Sequence, residues 1–413
     1  TGFLTWFLTA IRLIPFNALT CAAVTILCAV ICFFLLRKES KEKTECFPVD
    51  RISLIYWEEL LFFLAFLMWT YLAGFRPAAY GTEKFMDYGF MEAMMRSTTL
   101  PARDLWYSEG HINYYYGGQY FAVFLTKLSH TKVELTYNLM RTFVAGLAFA
   151  MPFSLVYQMM SDRMKGLQKS EKVIKGLPFA AGFTAGTAVS IAGNMHYVIY
   201  AQIIPLIEKL TGKEVSSYWF PDATRYIGYN PYREEDRTIH EFPCYSFVLG
   251  DLHAHVVNIM FVLLVIALLY VWLRGVRKKT VPVETSMKDG KFWKEQLLMP
   301  HLLVISVLLG MFQWTNFWDF VIYYVVTLGT VLFANIIRFQ GKIKKIMVVT
   351  FAQMAEIYLL AYLVILPFTL QFDTMVDGIG IAKYHSYFYQ LLVLWGLPAV
   401  LTITFVISIL WEK

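Results

Sequence analysis

Apolar runs alternate with short polar segments from one end of the chain to the other. They cover residues 18–36, 53–74, 136–160, 178–200, 256–273, 300–313, 318–337, 346–370 and 389–411, with a further apolar stretch at 1–11 and a short one at 114–129. A run of about 18 or more apolar residues reads as a membrane-spanning helix, because a helix satisfies its own backbone polar groups in hydrocarbon. The pattern predicts an all-α, polytopic integral membrane protein, multi-pass in the cell (plasma) membrane, with about ten or eleven transmembrane helices. The chain opens at Thr1 inside one apolar segment and stops just after another, so it reads as a fragment of a longer protein. Within 1–413 there is no internal repeat and no low-complexity tract, so a single membrane domain is expected.

Charge orients the spans. Basic residues collect at Arg37, Lys38, Lys41, Lys43 and Arg51, then at Arg163, Lys165, Lys169, Lys172 and Lys175. They recur at Arg274, Arg277, Lys278, Lys279, Lys288, Lys291 and Lys294, and at Arg338, Lys342, Lys344 and Lys345. An excess of Lys and Arg marks cytoplasmic loops, so 37–51, 161–177, 274–298 and 338–346 are placed inside. The parity closes only if 114–129 does not cross completely or another segment is re-entrant. Two long loops, 75–113 and 201–250, then lie outside with the turn at Trp314–Asp319 and the loop 371–388. Residues 83–98 form a candidate amphipathic helix on the membrane surface.

Composition agrees with this class: 58% of residues are hydrophobic, against the roughly 45–50% of a soluble domain. The net charge of +6 is carried by membrane-flanking loops, so no nucleic-acid partner is inferred, and membrane lipid is. Cys21, Cys28, Cys32, Cys46 and Cys244 show no paired spacing, which leaves neither a disulfide scaffold nor a zinc ribbon.

Three outer stretches carry candidate chemistry. The first, Gly81 to Tyr120, holds Glu83, Lys84, Asp87 and Asp104, with the weaker candidate Glu92 and the run Tyr114, Tyr115, Tyr116. Glu83 and Asp87 stand i, i+4, so a helix puts them on one face, where two carboxylates repel, hold a cation, or split into acid and base. Lys84 stands three residues before Asp87 and is expected to keep it ionised; on that ground Asp87 outranks Glu83, and Asp87→Asn is expected to cost the larger loss of activity. The plain alternative is a solvated loop with a surface ion pair. The second stretch, His240 to His255, holds Glu241, Asp251, His253 and His255. Asp-x-His-x-His can chelate a metal from an extended backbone, contact substrate, or cap and anchor the following helix. Arg225, in the same loop, is a candidate grip on phosphate. The third, Gln313 to Phe320, offers Trp314 and Trp318 as sugar-stacking or interfacial aromatics, with Asn316 and Asp319 as hydrogen-bonding partners. All three fall on one side in this topology, so one shared outer pocket is expected.

In order, Glu83–Asp87 (EKFMD), Pro101–Trp106 (PARDLW), Ile112–Tyr116 (INYYY), the run from Glu241-Phe242-Pro243 to Gly250-Asp251-Leu252-His253, and Trp314–Asp319 (WTNFWD) resemble the motifs of a family of archaeal and bacterial multi-spanning proteins. That family is named for its Tyr-Tyr-Tyr motif and is classed as a domain of unknown function. The likeness runs from the first residues to about residue 370, with departures at Ala102, Gly117, His240, Cys244, Ala254 and Val321 that flank the acids without removing them. The family is in turn similar to GT-C membrane glycosyltransferases, by analogy of fold. The resemblance implies a GT-C-like bundle with two long outer loops carrying short surface helices. It also implies transfer of a sugar from a polyprenyl-phosphate donor at the outer face. Asp87 or Glu83 would serve as base or cation ligand, and Lys84, Arg225 or a histidine would steady the lipid phosphate. A divalent cation, Mg or Mn, is compatible with the carboxylates; the sequence leaves cofactors open. Two other readings stand beside it: a lipid or glycan carrier or flippase, and a metal-dependent membrane hydrolase using Asp251, His253 and His255.

Overall fold

The computed structural model describes residues 1–41, 52–165, 171–278, 286–374, 378 and 380–411. Cys46 and the basic residues Lys43, Arg51, Lys169 and Lys279 lie outside the described residues, as do the side chains of Lys41, Lys172, Lys175 and Lys278. The described residues are mostly helical and form no β-strand. In chain order the helices are α1 (Gly2–Ala10), α2 (Ala18–Lys41), α3 (Ile52–Gly74), α4 (Lys84–Arg96), α5 (Gly117–Ser129), α6 (Val133–Met164) and α7 (Glu171–Ser190). They continue with α8 (Ile204–Leu210), α9 (Pro243–Leu249), α10 (Ala254–Lys278), α11 (Gly290–Leu297), α12 (Pro300–Thr315), α13 (Phe317–Phe339), α14 (Ile343–Thr369) and α15 (Phe388–Trp411).

Among the described residues seven helices, α2, α3, α6, α10, α13, α14 and α15, are long and apolar enough to cross a membrane. The pair α11 and α12, bent by 50°, makes an eighth if it forms one span. The chain is therefore a multi-pass membrane protein. The larger number expected from the apolar runs also included 1–11, 114–129 and 178–200. Helix α1 has 9 residues and α5 has 13, and at 1.5 Å per residue neither reaches across about 30 Å of hydrocarbon. Helix α7 is diluted by Gly, Ala and Thr and ends at Ser190, before the apolar run does.

The chain divides into two compact units, Thr1–Gly182 with Gly250–Asp373, and Phe183–Leu249 with Thr374–Lys413. In the first unit α3 lies along α6, and α10, α12, α13 and α14 pack together. Val265, Leu269, Leu302, Ile305, Leu309, Phe312, Ala334, Ile357 and Ala361 fill their core. Gly310 lets α12 approach α14 closely: a Cβ there would meet the Ala361 carbonyl oxygen at 2.5 Å, the small-residue contact that packing in lipid favours. In the second unit Tyr226 and Ile227 pack on Val393 and Leu394, and the Asn230 carbonyl accepts from Gln390 Nε2 and the Tyr389 hydroxyl, each at 2.7 Å.

Polar contacts give the first unit two unlike ends. At one, the starts of α10 and α13 meet through Asn258 and Asp319 (2.6 Å), and the end of α12 joins them through Thr315 (2.7 Å). At the other, the ends of α6 and α10 meet through Asp162 and Arg274, and Arg338 at the end of α13 donates to Gln296. The described basic loop residues Lys165, Arg274, Arg338 and Lys345 belong to this second end. Helix α5 stays at the first end: Gly117 packs on Thr315, Gly118 on Val257, and its last turn bonds Thr136 and the Met95 carbonyl. Helix α4 forms within the expected stretch 83–98 and packs one face against α5 and α6. Phe90, Met91 and Met94 are apolar at adjoining positions, and the helix buries Lys84 and Asp87 along with them.

The basic end is predicted to face the cytoplasm. A cysteine placed at the exposed Lys344, in a background lacking the native cysteines, should react only with reagents that enter the cell. Labelling by a reagent confined to the outside would invert the topology.

Candidate functional site

The site grows from the first turn of α4. Glu83 stands at the residue before that helix without a side-chain capping bond; its side chain is 58% exposed, and its Oε2 lies 2.8 Å from His253 Nε2. One turn later Asp87 is fully buried. Gln119 Nε2, from the first turn of α5, donates to Asp87 Oδ1 at 2.7 Å and to the Leu252 carbonyl at 3.1 Å. One amide thus clamps the buried carboxyl to the peptide that leads into His253. Asp251 is 6% exposed and accepts the Thr82 hydroxyl at 2.6 Å. The Tyr114 hydroxyl reaches His253 Nε2 at 2.5 Å, with the two rings stacked, and His255 lies edge-on to His253 at 5.2 Å. Beneath them the buried Arg141 of α6 donates to the carbonyls of Gly250, Ala73 and Arg76, which ties α3, α6 and the turn before α10.

Burial dominates the electrostatics. It pushes the Asp87 carboxyl up to about 8; the Gln119 bond opposes this, and the nearby Asp251 and Glu83 carboxylates reinforce it. The Leu252 backbone N–H also opposes the rise, but Asp87 Oδ2 is buried with no hydrogen-bond partner among the described residues, the arrangement of a neutral acid, since burying an unpaired charge is costly. The Lys84 amine is pushed down by its burial and then by Arg141 and Arg76, against the pull of Asp251. The Tyr114 hydroxyl is raised by burial and then by Glu83 and Asp87. The expected Lys84–Asp87 pair, which was to keep Asp87 ionised, is therefore corrected. No ion pair joins them among the described residues, because α4 buries both side chains and Asp87 takes a neutral amide as its partner.

This carries a sign for stability against pH. The folded carboxyl binds its proton more tightly than the unfolded one, so Asp87 contributes stability that falls as pH rises from about 4 towards 8. The denaturation midpoint of the purified protein should drop between pH 6 and pH 9. Asp87→Asn, which keeps a neutral group able to accept from Gln119, should flatten that slope. An unchanged slope would assign the titration to another group.

The remaining predicted residues divide. Asp104 caps its own turn, accepting from the backbone N–H groups of Trp106 and Tyr107, at 2.7 and 3.0 Å. The three tyrosines take different partners. Tyr114 serves His253, Tyr115 packs on Phe372, and the buried Tyr116 accepts from Trp6 Nε1. Trp314, expected as a stacking surface, is 1% exposed and stacked on Trp6 at 4.2 Å; Trp318 is 63% exposed. Asn316 and Asn258 both donate to Asp319 Oδ2, one and a half turns along α10 from His253. Glu92 makes a long ion pair with Arg96 and a side-chain contact with the Tyr88 hydroxyl. Arg225 and Glu241 belong to the second unit, where Arg225 donates to the Tyr245 hydroxyl and Glu241 accepts from Ser246. Cys244 there is partly buried, with its thiol pushed up to about 11 by burial.

Residues not singled out from the sequence also build the site: Thr82, Gln119, Arg141 and Asn258. Arg141 had a legible signal, as the one charged residue in the apolar run 136–160, where a charge is costly unless used. Gln119 and Thr82 had none beyond closeness to the motifs. Among the described residues no group of three or more His, Cys, Asp or Glu is placed to hold a metal ion. Asp87, Asp251 and Glu83 are engaged by Gln119, Thr82 and His253, so the donor set does not fit a chelated Mg or Mn.

A family model described as "Uncharacterized membrane protein (DUF2298)" matches residues 1–413. No curated protein and no solved structure matches the chain.

Proposed function

The chain belongs to this DUF2298 membrane-protein family, and from that premise we propose that it is a transferase that moves a sugar from a polyprenyl-phosphate donor to an acceptor hydroxyl. The observation that carries the reading is the Glu83–His253–Tyr114 group, partly exposed at one end of a helix bundle and backed by two buried acids. A histidine held by a carboxylate is the usual general base near neutral pH. In the proposed step the acceptor O–H loses its proton to His253, and the acceptor oxygen bonds to the sugar's anomeric carbon. The bond from that carbon to the phosphate oxygen breaks, and the lipid phosphate leaves with the electron pair. Glu83 holds the resulting imidazolium. Lys84 and Arg141 lie behind the group as fixed positive charge for the departing phosphate, the role preorganised cations play toward a developing anion. Asp87 takes a structural part, because it is neutral and out of reach of solvent. Neither the carrier reading nor the hydrolase reading has an observation of this kind behind it.

The test is transfer itself. Protein reconstituted in liposomes with radiolabelled polyprenyl-phosphate sugars and a membrane extract as acceptor should move label from the lipid to a new product. Release of free sugar into water with no transferred product would point to hydrolysis. Movement of intact donor between leaflets without cleavage would point to a carrier.

A further inference from the structure

We propose that the basic end of the first unit binds the phosphate of an anionic lipid headgroup, in a cleft between the last turns of α6 and α10. The cleft is about 420 Å³ and is lined by Asp162, Lys165, Tyr270, Leu273, Arg274 and Arg277. That is room for a headgroup phosphate and its glycerol, and it falls in the range of small-ligand sites.

The walls are built rather than incidental. Asp162 accepts from Arg274 Nε at 2.7 Å and Nη2 at 2.8 Å, from the Tyr270 hydroxyl at 2.9 Å and from Lys165 Nζ at 2.9 Å. These bonds fix the Arg274 guanidinium, and with it the ends of two spans. Three cations face one carboxylate, which leaves two net positive charges, enough for a phosphodiester. Lys165 is 60% exposed, and Arg277 has no carboxylate partner among the described residues, so both can turn to a ligand. Leu273 and the Tyr270 ring supply an apolar wall. The cleft lies where α6 and α10 complete their apolar stretches, the depth at which lipid headgroups sit. Basic pockets between spans at that depth suit anionic headgroups. The cleft is at the opposite end of these helices from the Glu83–His253 group, so it stands whether or not the transferase reading does.

The same chemistry would accept a free phosphate, so the experiment separates the two sources. Native mass spectrometry of purified full-length protein in detergent, given equal phosphatidylglycerol and phosphatidylcholine, should show preferential retention of phosphatidylglycerol. K165Q/R277Q should lower that retention about tenfold or more, and the charge-keeping K165R/R277K should preserve it. Both substitutions lie at exposed positions, and matched thermal midpoints would establish that both variants are folded. Millimolar inorganic phosphate should leave lipid retention unchanged. Equal retention of the two lipids, or undiminished phosphatidylglycerol in K165Q/R277Q, would overturn the proposal. Displacement of the lipid by phosphate would overturn the lipid assignment in favour of a soluble anion.

Discussion

His253→Ala should lower sugar transfer by about two to four orders of magnitude, the worth of a positioned base, while the protein stays folded in the membrane. His253 is partly exposed and its ring packs on Tyr114 and His255, so its loss leaves a surface gap and not a core cavity. Glu83→Gln keeps a hydrogen-bond acceptor for His253 Nε2 but removes the charge that would stabilise the imidazolium. It should therefore cost a large part of the same effect. Groups that act as a unit are not additive, so the double variant should be little worse than His253→Ala alone. Asp87→Asn should leave transfer near normal, since Asp87 is fully buried and held neutral. All variants are compared at matched expression and matched thermal midpoint. Full transfer by His253→Ala would remove the base from this proposal. A loss confined to Asp87→Asn would return the central role to that residue.

Gly250→Ala should destabilise the fold more than any other single methyl addition near the site. Gly250 has φ +78° and closes the turn before α10. A side chain in that left-handed region costs about 1–2 kcal/mol by itself. The added Cβ would also lie 1.6 Å from Arg141 Nη1, so the guanidinium must move. Moving it breaks hydrogen bonds to the carbonyls of Gly250, Ala73 and Arg76, and a hydrogen bond to a charged group contributes about 1.5–3 kcal/mol. A combined loss of about 3 kcal/mol or more is expected, read as a fall in the denaturation midpoint in detergent. Gly275→Ala is the control: it sits within α10 with nothing within 4 Å of the new Cβ, and it should be neutral or mildly stabilising. A Gly250→Ala protein as stable as Gly275→Ala would show that Arg141 does not lock this turn.

Spans such as α10 and α14 were legible from the sequence because crossing a membrane is a local property: enough consecutive apolar residues, in one helix, with few charges. The motif acids were legible for a similar reason, since polar groups beside spans are costly unless they are paired or used. What each acid does was not legible, because that depends on partners far away in the chain. From spacing, Asp87 belongs with Lys84; in the fold a neutral amide from Gln119 reaches it first, and burial on α4 keeps its proton on. Glu83, adjacent in sequence to Lys84, instead meets His253 across the bundle. Tyr114 and Tyr116 are near neighbours in one run, yet one bonds a histidine and the other closes an aromatic core around Trp6 and Trp314. The hydropathy pattern by itself determined that the chain is a multi-pass bundle of helices and which loops carry its charge. Only the tertiary structure decided which carboxyl is buried and neutral and which is exposed and paired, because desolvation and long-range hydrogen bonds set a carboxyl's charge, and neither is a property of the residues next to it.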